Sequence, residues 1–137
     1  MIFNEDAYND SLNLSDYVSD AEDPDSALTW TSSNNVNVIV TINQTTKKVN
    51  FTALANWSGN ENVKFTVNDT SGLTANDTIL VTVNPVNDAP TFNSSKQIPN
   101  MTWPEDISNS SLNLSPYFYD IDGDMLNYTS TGTSNNI

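Results

Sequence analysis

The 137 residues suffice for one small domain and part of another. Seventeen acids against four lysines (Lys47, Lys48, Lys64, Lys96), with no arginine, give a formal charge of −13 and leave no cationic surface for nucleic acid or an anionic membrane. Histidine and cysteine are absent, which removes the usual zinc and iron ligands, any disulfide, and nucleophilic catalysis through Cys/His or Ser/His pairs.

In chain order, Met1-Ile2-Phe3-Asn4-Glu5-Asp6 has neither a basic nor an apolar region, so it does not read as a signal peptide; an export signal is expected outside this sequence. Phe3 marks a first strand edge, and Leu12/Leu14 and Leu28/Trp30 mark two further strands. Val36, Val38, Val40 and Ile42 then fall on one face of a period-two alternation, followed by Val49/Phe51, by Val63/Phe65/Val67 and by Ile79/Val81/Val83. Turn chemistry separates these runs at Asp23-Pro24-Asp25, Asn43-Gln44-Thr45, Asn56-Trp57-Ser58-Gly59 and Ser71-Gly72. No segment carries a helical stripe, and no run approaches the roughly 18–20 apolar residues of a membrane span. About seven short strands at this spacing predict an all-β, immunoglobulin-like Greek-key sandwich.

The chain also repeats itself. Glu5-Asp6, Asn9, Ser11-Leu12-Asn13-Leu14-Ser15, Tyr17 and Asp20 recur one hundred positions later as Glu105-Asp106, Asn109, Ser111-Leu112-Asn113-Leu114-Ser115, Tyr117 and Asp120; ten of eighteen positions in the window are identical. After a slip of two, Leu28-Thr29-Trp30-Thr31-Ser32 matches Leu126-Asn127-Tyr128-Thr129-Ser130. Residues 1–88 are therefore expected to form one repeat, its first strand cut, and 89–137 a linker and the incomplete first part of a second. Pro90 to Asn100 has no counterpart ahead of Met1, and the later strands of the second copy are expected to be missing, leaving 93–137 poorly packed.

At Val81-Thr-Val-Asn-Pro-Val-Asn87-Asp88-Ala89-Pro90-Thr-Phe92 the sequence resembles the junction of cadherin-like tandem repeats of prokaryotic cell-surface proteins, the kind with a V-N-D-A-P linker. Phe65-Thr-Val67-Asn68-Asp69-Thr-Ser-Gly72 is similar to that family's V-x-A-x-D-x-x-G segment, and Asp120-Ile-Asp122-Gly-Asp124 to its D-x-D segment. Glu105, fifteen residues before Asp120, resembles the family's strand-A glutamate, and Glu5 stands at the same spacing from Asp20. The resemblance implies Ca2+ between successive repeats. Glu5, Asn87, Asp88, Asp120 and Asp122 would serve the junction within this chain; Asp20, Glu22 and Asp69 a preceding one; Glu105 a following one. The family's second acid pair has only Asn60-Glu61 as a loose equivalent, and the first copy reads Asp20-Ala-Glu22-Asp23-Pro-Asp25, so the number of ions stays open.

Independently of the family, calcium takes six to eight oxygen ligands near 2.4 Å, and clustered carboxylates without basic neighbours supply them. The same acids also suit turns, which favour Asp and Asn for their own hydrogen bonding. An EF-hand reading of Asp120-x-Asp122-x-Asp124 fails, because Met125 stands where that loop needs glycine and Thr131 where it needs glutamate.

Twelve N-x-S/T acceptors (Asn9, Asn13, Asn43, Asn50, Asn56, Asn68, Asn76, Asn93, Asn100, Asn109, Asn113, Asn127) suggest a glycoprotein, although an Asn/Ser/Thr-rich composition inflates the number. Asn13, Asn50 and Asn113 are expected on strands, pointing to solvent between inward-facing residues. Trp30, Trp57 and Trp103 could form a sugar-stacking platform, but Trp30 aligns with Tyr128 and Trp103 with Phe3, as repeated core positions would. The acids gather at turns and linkers rather than facing across a cleft, so the chain reads as no enzyme. The expected function is a non-catalytic, calcium-binding structural repeat of an extracellular surface stalk or adhesin. Its partners would be neighbouring repeats and another surface protein or a polysaccharide. The alternative is a spacer or carbohydrate-binding accessory module of a large secreted enzyme.

Overall fold

The computed structural model describes residues 1–132, so positions 133–137 of the second-repeat assignment lie outside the described residues. Two compact units are present, Met1–Val86 and a second beginning at Asn87.

The first unit is a sandwich of seven strands: β1 (Ile2–Asn4), β2 (Tyr8–Asn13), β3 (Thr29–Ser33), β4 (Val38–Ile42), β5 (Lys48–Ala53), β6 (Gly59–Asn68) and β7 (Thr74–Asn84). One sheet has the order β1-β7-β6-β3 and the other β2-β5-β4. The chain enters in the first sheet, with β1 parallel to β7, and crosses to the second through a turn where Asp6 takes φ 57°. The crossings β2–β3, β3–β4 and β5–β6 interleave the sheets, as a Greek key requires.

Alternation decides which side chains meet. Val63, Phe65 and Val67 of β6, Val81 and Val83 of β7, and Val49 and Phe51 of β5 are buried, while Asn50 between the last two is exposed. Phe51 from one sheet meets Phe65 from the other edge to face, with ring centroids 6.2 Å apart and planes at 85°. Phe3, Leu14, Leu28, Trp30 and Val38 complete the core.

Three expectations need local correction. Val36 is 79% exposed and precedes β4, because Asn34 at φ 64° turns the chain and breaks the alternation. Leu14 is buried from a 3-10 turn (Leu14–Tyr17), not a strand, since Asn13 caps that turn by accepting from Ser15 N at 3.3 Å. Of the three acceptor asparagines expected on strands, only Asn50 sits inside one; Asn13 ends β2, and Asn113 lies outside any strand with its Oδ1 accepting from Ser115 N at 3.0 Å.

The second unit contains one short ladder, β8 (Thr91–Phe92) antiparallel to β9 (Phe118–Tyr119). None of its described residues is buried; Trp103 and Tyr128, at 53% and 42% exposure, differ from their core counterparts Phe3 and Trp30. Among the described residues of this unit the β8–β9 ladder has no second sheet packed against it. Its local geometry nonetheless copies the first unit. Asn109, like Asn9, accepts from the amide two residues on (2.9 and 3.0 Å). Asp120 and Asp20 do the same (both 3.0 Å), and Asp106 takes φ 61° where Asp6 takes 57°.

Candidate metal centre

The acids of the first unit expected to hold metal fall at the two ends of β7. At one end, Asp69 closes the β6–β7 hairpin: its Oδ1 accepts from Leu73 N at 2.8 Å, and Gly72 supplies the positive φ of 86° that the turn needs. The β2–β3 loop lies against that hairpin, because the Asp23 carboxylate accepts from the Thr70 amide (3.0 Å) and the Thr70 hydroxyl (2.7 Å). The hydroxyl bond, and after it the amide bond, hold the Asp23 carboxyl below its ordinary range. Asp20 organises the same loop, its Oδ1 accepting from Glu22 N and Asp23 N at 3.0 and 2.8 Å.

At the other end stands Glu5. It is 5% exposed, its amide donates to Asn84 O at 2.9 Å, and its Oε1 accepts from Val86 N at 2.6 Å. Eleven strand residues at roughly 3.3 Å each separate these ends by about 33 Å. Asp20, Glu22 and Asp69 thus lie at the opposite pole of the repeat from Glu5.

In the second unit, three of the predicted ligands come together. Asn87, Asp88 and Asp120 line an open recess of about 430 Å³, with Asp124 beside them and the Phe118 and Tyr128 rings forming its apolar wall. Asp122 reaches the linker directly: its Oδ2 accepts from Asp88 N at 2.7 Å. Asp120 shapes the loop that permits this, accepting from Asp122 N through Oδ1, while its carbonyl accepts from Gly123 N at 3.3 Å with Gly123 at φ 80°. Glu105 is exposed and does not line the recess. The donor set is entirely oxygen, which fits a hard cation such as Ca2+ and not zinc or copper. Among the described residues no three acids are close enough to form a closed coordination sphere.

Sequence reasoning missed the acids and amides that tie the first unit together. Glu61, loosely matched to a metal ligand, instead accepts from the amides of Val38 (2.6 Å), Asn37 (2.9 Å) and Val36, clamping the turn into β4. Gln44 pairs with both backbone groups of Trp30, accepting from its amide at 3.1 Å and donating to its carbonyl at 2.8 Å. Lys47, buried at 4% exposure, donates to Leu28 O at 2.6 Å. The only advance sign was a lysine beside an Asn-Gln-Thr turn, and nothing local names its partner. Of the three tryptophans, Trp30 is buried, Trp57 is half-buried against the core, and Trp103 is 53% exposed, so they do not share one exposed face of the first unit.

A seven-stranded two-sheet Greek key with a parallel first and last strand defines an immunoglobulin-like β-sandwich. The chain belongs to the family described as Bacterial Ig domain, which matches residues 3–83, from β1 to the end of β7. It is an immunoglobulin-like repeat of the prokaryotic surface-protein type, from a structural rather than a catalytic family. No curated protein matches the chain. Among the described residues no helix is long and apolar enough to cross a membrane.

Proposed function

We propose that the chain is a length of an extracellular stalk or adhesin, in which sandwich repeats follow end to end and calcium at the linker acids stiffens each joint. The observation that supports this reading is the bond from the Asp88 amide to the Asp122 carboxylate. It draws the linker against the loop of Asp120 and brings Asn87, Asp88, Asp120 and Asp124 to one recess. Carboxylates so placed repel one another, and a divalent cation among them would turn that repulsion into attraction. Asn87, Asp88, Asp120 and Asp122 would hold the ion, with Asp124 in reserve. Glu5 would secure the start of the linker through Val86, and Asp20, Glu22, Asp69 and Glu105 would serve the equivalent joints with other repeats.

The role is mechanical: metal converts a flexible string of repeats into a rod that projects a distal binding surface towards a surface protein or polysaccharide. Calcium titration of the chain by calorimetry, with melting curves in calcium and in EDTA, tests it. Saturable binding that Asp88→Ala and Asp120→Ala each weaken at least tenfold is the expected result. An absence of heat and of any melting shift would reduce these acids to turn formers and end the stiff-rod reading.

A further inference from the structure

The outer face of the β2-β5-β4 sheet carries a recess. The pairing of β2 with β5 shifts register between Asn9 and Leu12, so Asp10 and Ser11 bulge, and a bulge bends its strand. On the other side, the hairpin between β4 and β5 turns with Lys47 at φ 57° and with Asn43 Oδ1 accepting from the Thr45 and Thr46 amides, both at 3.0 Å. The open space is about 420 Å³ and is lined by Tyr8, Asp10, Thr41, Asn43, Lys48 and Asn50 among others. Tyr8 is 65% exposed, and among the described residues the side chains of Asp10, Lys48 and Asn50 bond to nothing in the protein. An aromatic ring, a spare acceptor and a spare donor are the mixture that suits a sugar, which has an apolar C–H face and hydroxyls that both donate and accept.

Asn50 opens into this recess and begins Asn50-Phe51-Thr52, an acceptor signature for an N-linked glycan. Phe51 is turned into the core, so Asn50 and Thr52 share the outer face, Asn50 opposite Thr41 and Thr52 between Tyr8 and Ile39. The other acceptors of this sheet and its hairpin use their amides locally. Asn9 accepts from Ser11 N at 3.0 Å and donates to Ile2 O at 3.1 Å, Asn13 accepts from Ser15 N at 3.3 Å, and Asn43 closes the hairpin. Of these acceptors, Asn50 is the one whose amide is unspent.

We propose that Asn50 is an N-glycosylation site and that the recess seats the first sugars of its glycan, with a ring face on Tyr8 and hydroxyls on Asp10 and Lys48. In the transfer, Asn50 Nδ2 attacks the anomeric carbon of a sugar carried on a polyprenyl phosphate. The C–N bond forms as the bond from that carbon to the phosphate oxygen breaks; the oxygen keeps the electron pair, and Nδ2 gives up one proton. Because β5 is paired on both sides, the acceptor must meet its transferase before the sheet closes. The inference rests on the extracellular reading and is independent of calcium.

The test compares the chain isolated from its native host with Asn50→Gln, Tyr8→Ala and the double variant made in the same host. Peptide mapping by mass spectrometry should find a sugar mass on the Asn50 peptide of the parent. The parent should melt about 3–6 °C above Asn50→Gln, and Tyr8→Ala should erase that difference, as loss of one ring contact in a small domain implies. A Tyr8→Ala effect equal with and without the Asn50 glycan would overturn the seat. Fractionation separates the two ways the site itself can fail. Asn50 bare on a chain at the cell surface would overturn the assignment alone, and a bare chain retained in the cytoplasm would overturn the extracellular reading with it.

Discussion

Replacing Glu61 by glutamine changes one atom type in the side chain and asks whether the three-amide clamp holds the turn into β4. The carboxylate accepts at 2.6 Å from Val38 N, at 2.9 and 3.2 Å from Asn37 N, and also from Val36 N. Glutamine keeps one acceptor oxygen but turns an NH2 towards N–H donors. Val36 is exposed, so its amide recovers a bond to water, whereas Val38 is 1% exposed and its surroundings admit none. A hydrogen bond to a charged group contributes about 1.5–3 kcal/mol, and losing the buried share here should cost about 2 kcal/mol. For a unit of this size, each kcal/mol lowers the melting temperature by about 4–8 °C, so Glu61→Gln should melt about 8–16 °C lower. Urea and thermal unfolding followed by tryptophan emission measure the loss, and amide exchange at Asn37 and Val38 localises it. A melting temperature within about 2 °C of the parent, with Val38 still protected, would refute the clamp.

Lys47→Met preserves the aliphatic stem but removes the donor to Leu28 O in a buried site, so it should cost about 1–3 kcal/mol; an unchanged urea midpoint would show that water replaces the lysine. Thr70→Val tests the Asp23 lock through pH. Asp23 is depressed by the Thr70 bonds, so its contribution is present above the ordinary carboxyl value near pH 4 and is lost as pH falls through the lowered folded value. The parent should therefore exceed Thr70→Val in melting temperature at pH 7, with the gap closing below about pH 4; a gap independent of pH would assign the difference to packing alone.

How much of this was legible in the sequence depended on the range of the interaction. Val63, Phe65 and Val67 declared a half-buried strand because burial in a sheet has a period of two, and β6 carries all three inward. Asp20 and Asp69 were legible as loop acids because their bonds reach only two to four residues. The alternation failed at Val36, where a left-handed Asn34 reset the register and a glutamate 25 residues away took over the backbone. Gln44 and Lys47 escaped notice for the same reason: each ties a hairpin loop of one sheet to β3 or its approach in the other. In the candidate site, the D-x-D resemblance pointed to Asp120 and Asp122, and the linker motif to Asn87 and Asp88. Asp124 was set aside with the rejected EF-hand reading, although it lines the same recess.

The parallel pairing of β1 with β7 has a consequence for a molecule loaded from its two ends. Ile2, Phe3 and Asn4 lie beside Thr82, Val83 and Asn84, flanked by bonds from Thr82 N to Met1 O and from Glu5 N to Asn84 O. Traction applied at Met1 and at Val86 pulls these neighbours in opposite directions along their common axis. The load is then shared by all the rungs at once in shear, instead of opening them one after another like a zip. Rupture must break the whole patch together, which gives a short ladder the resistance to sudden tugging that its length alone would not suggest.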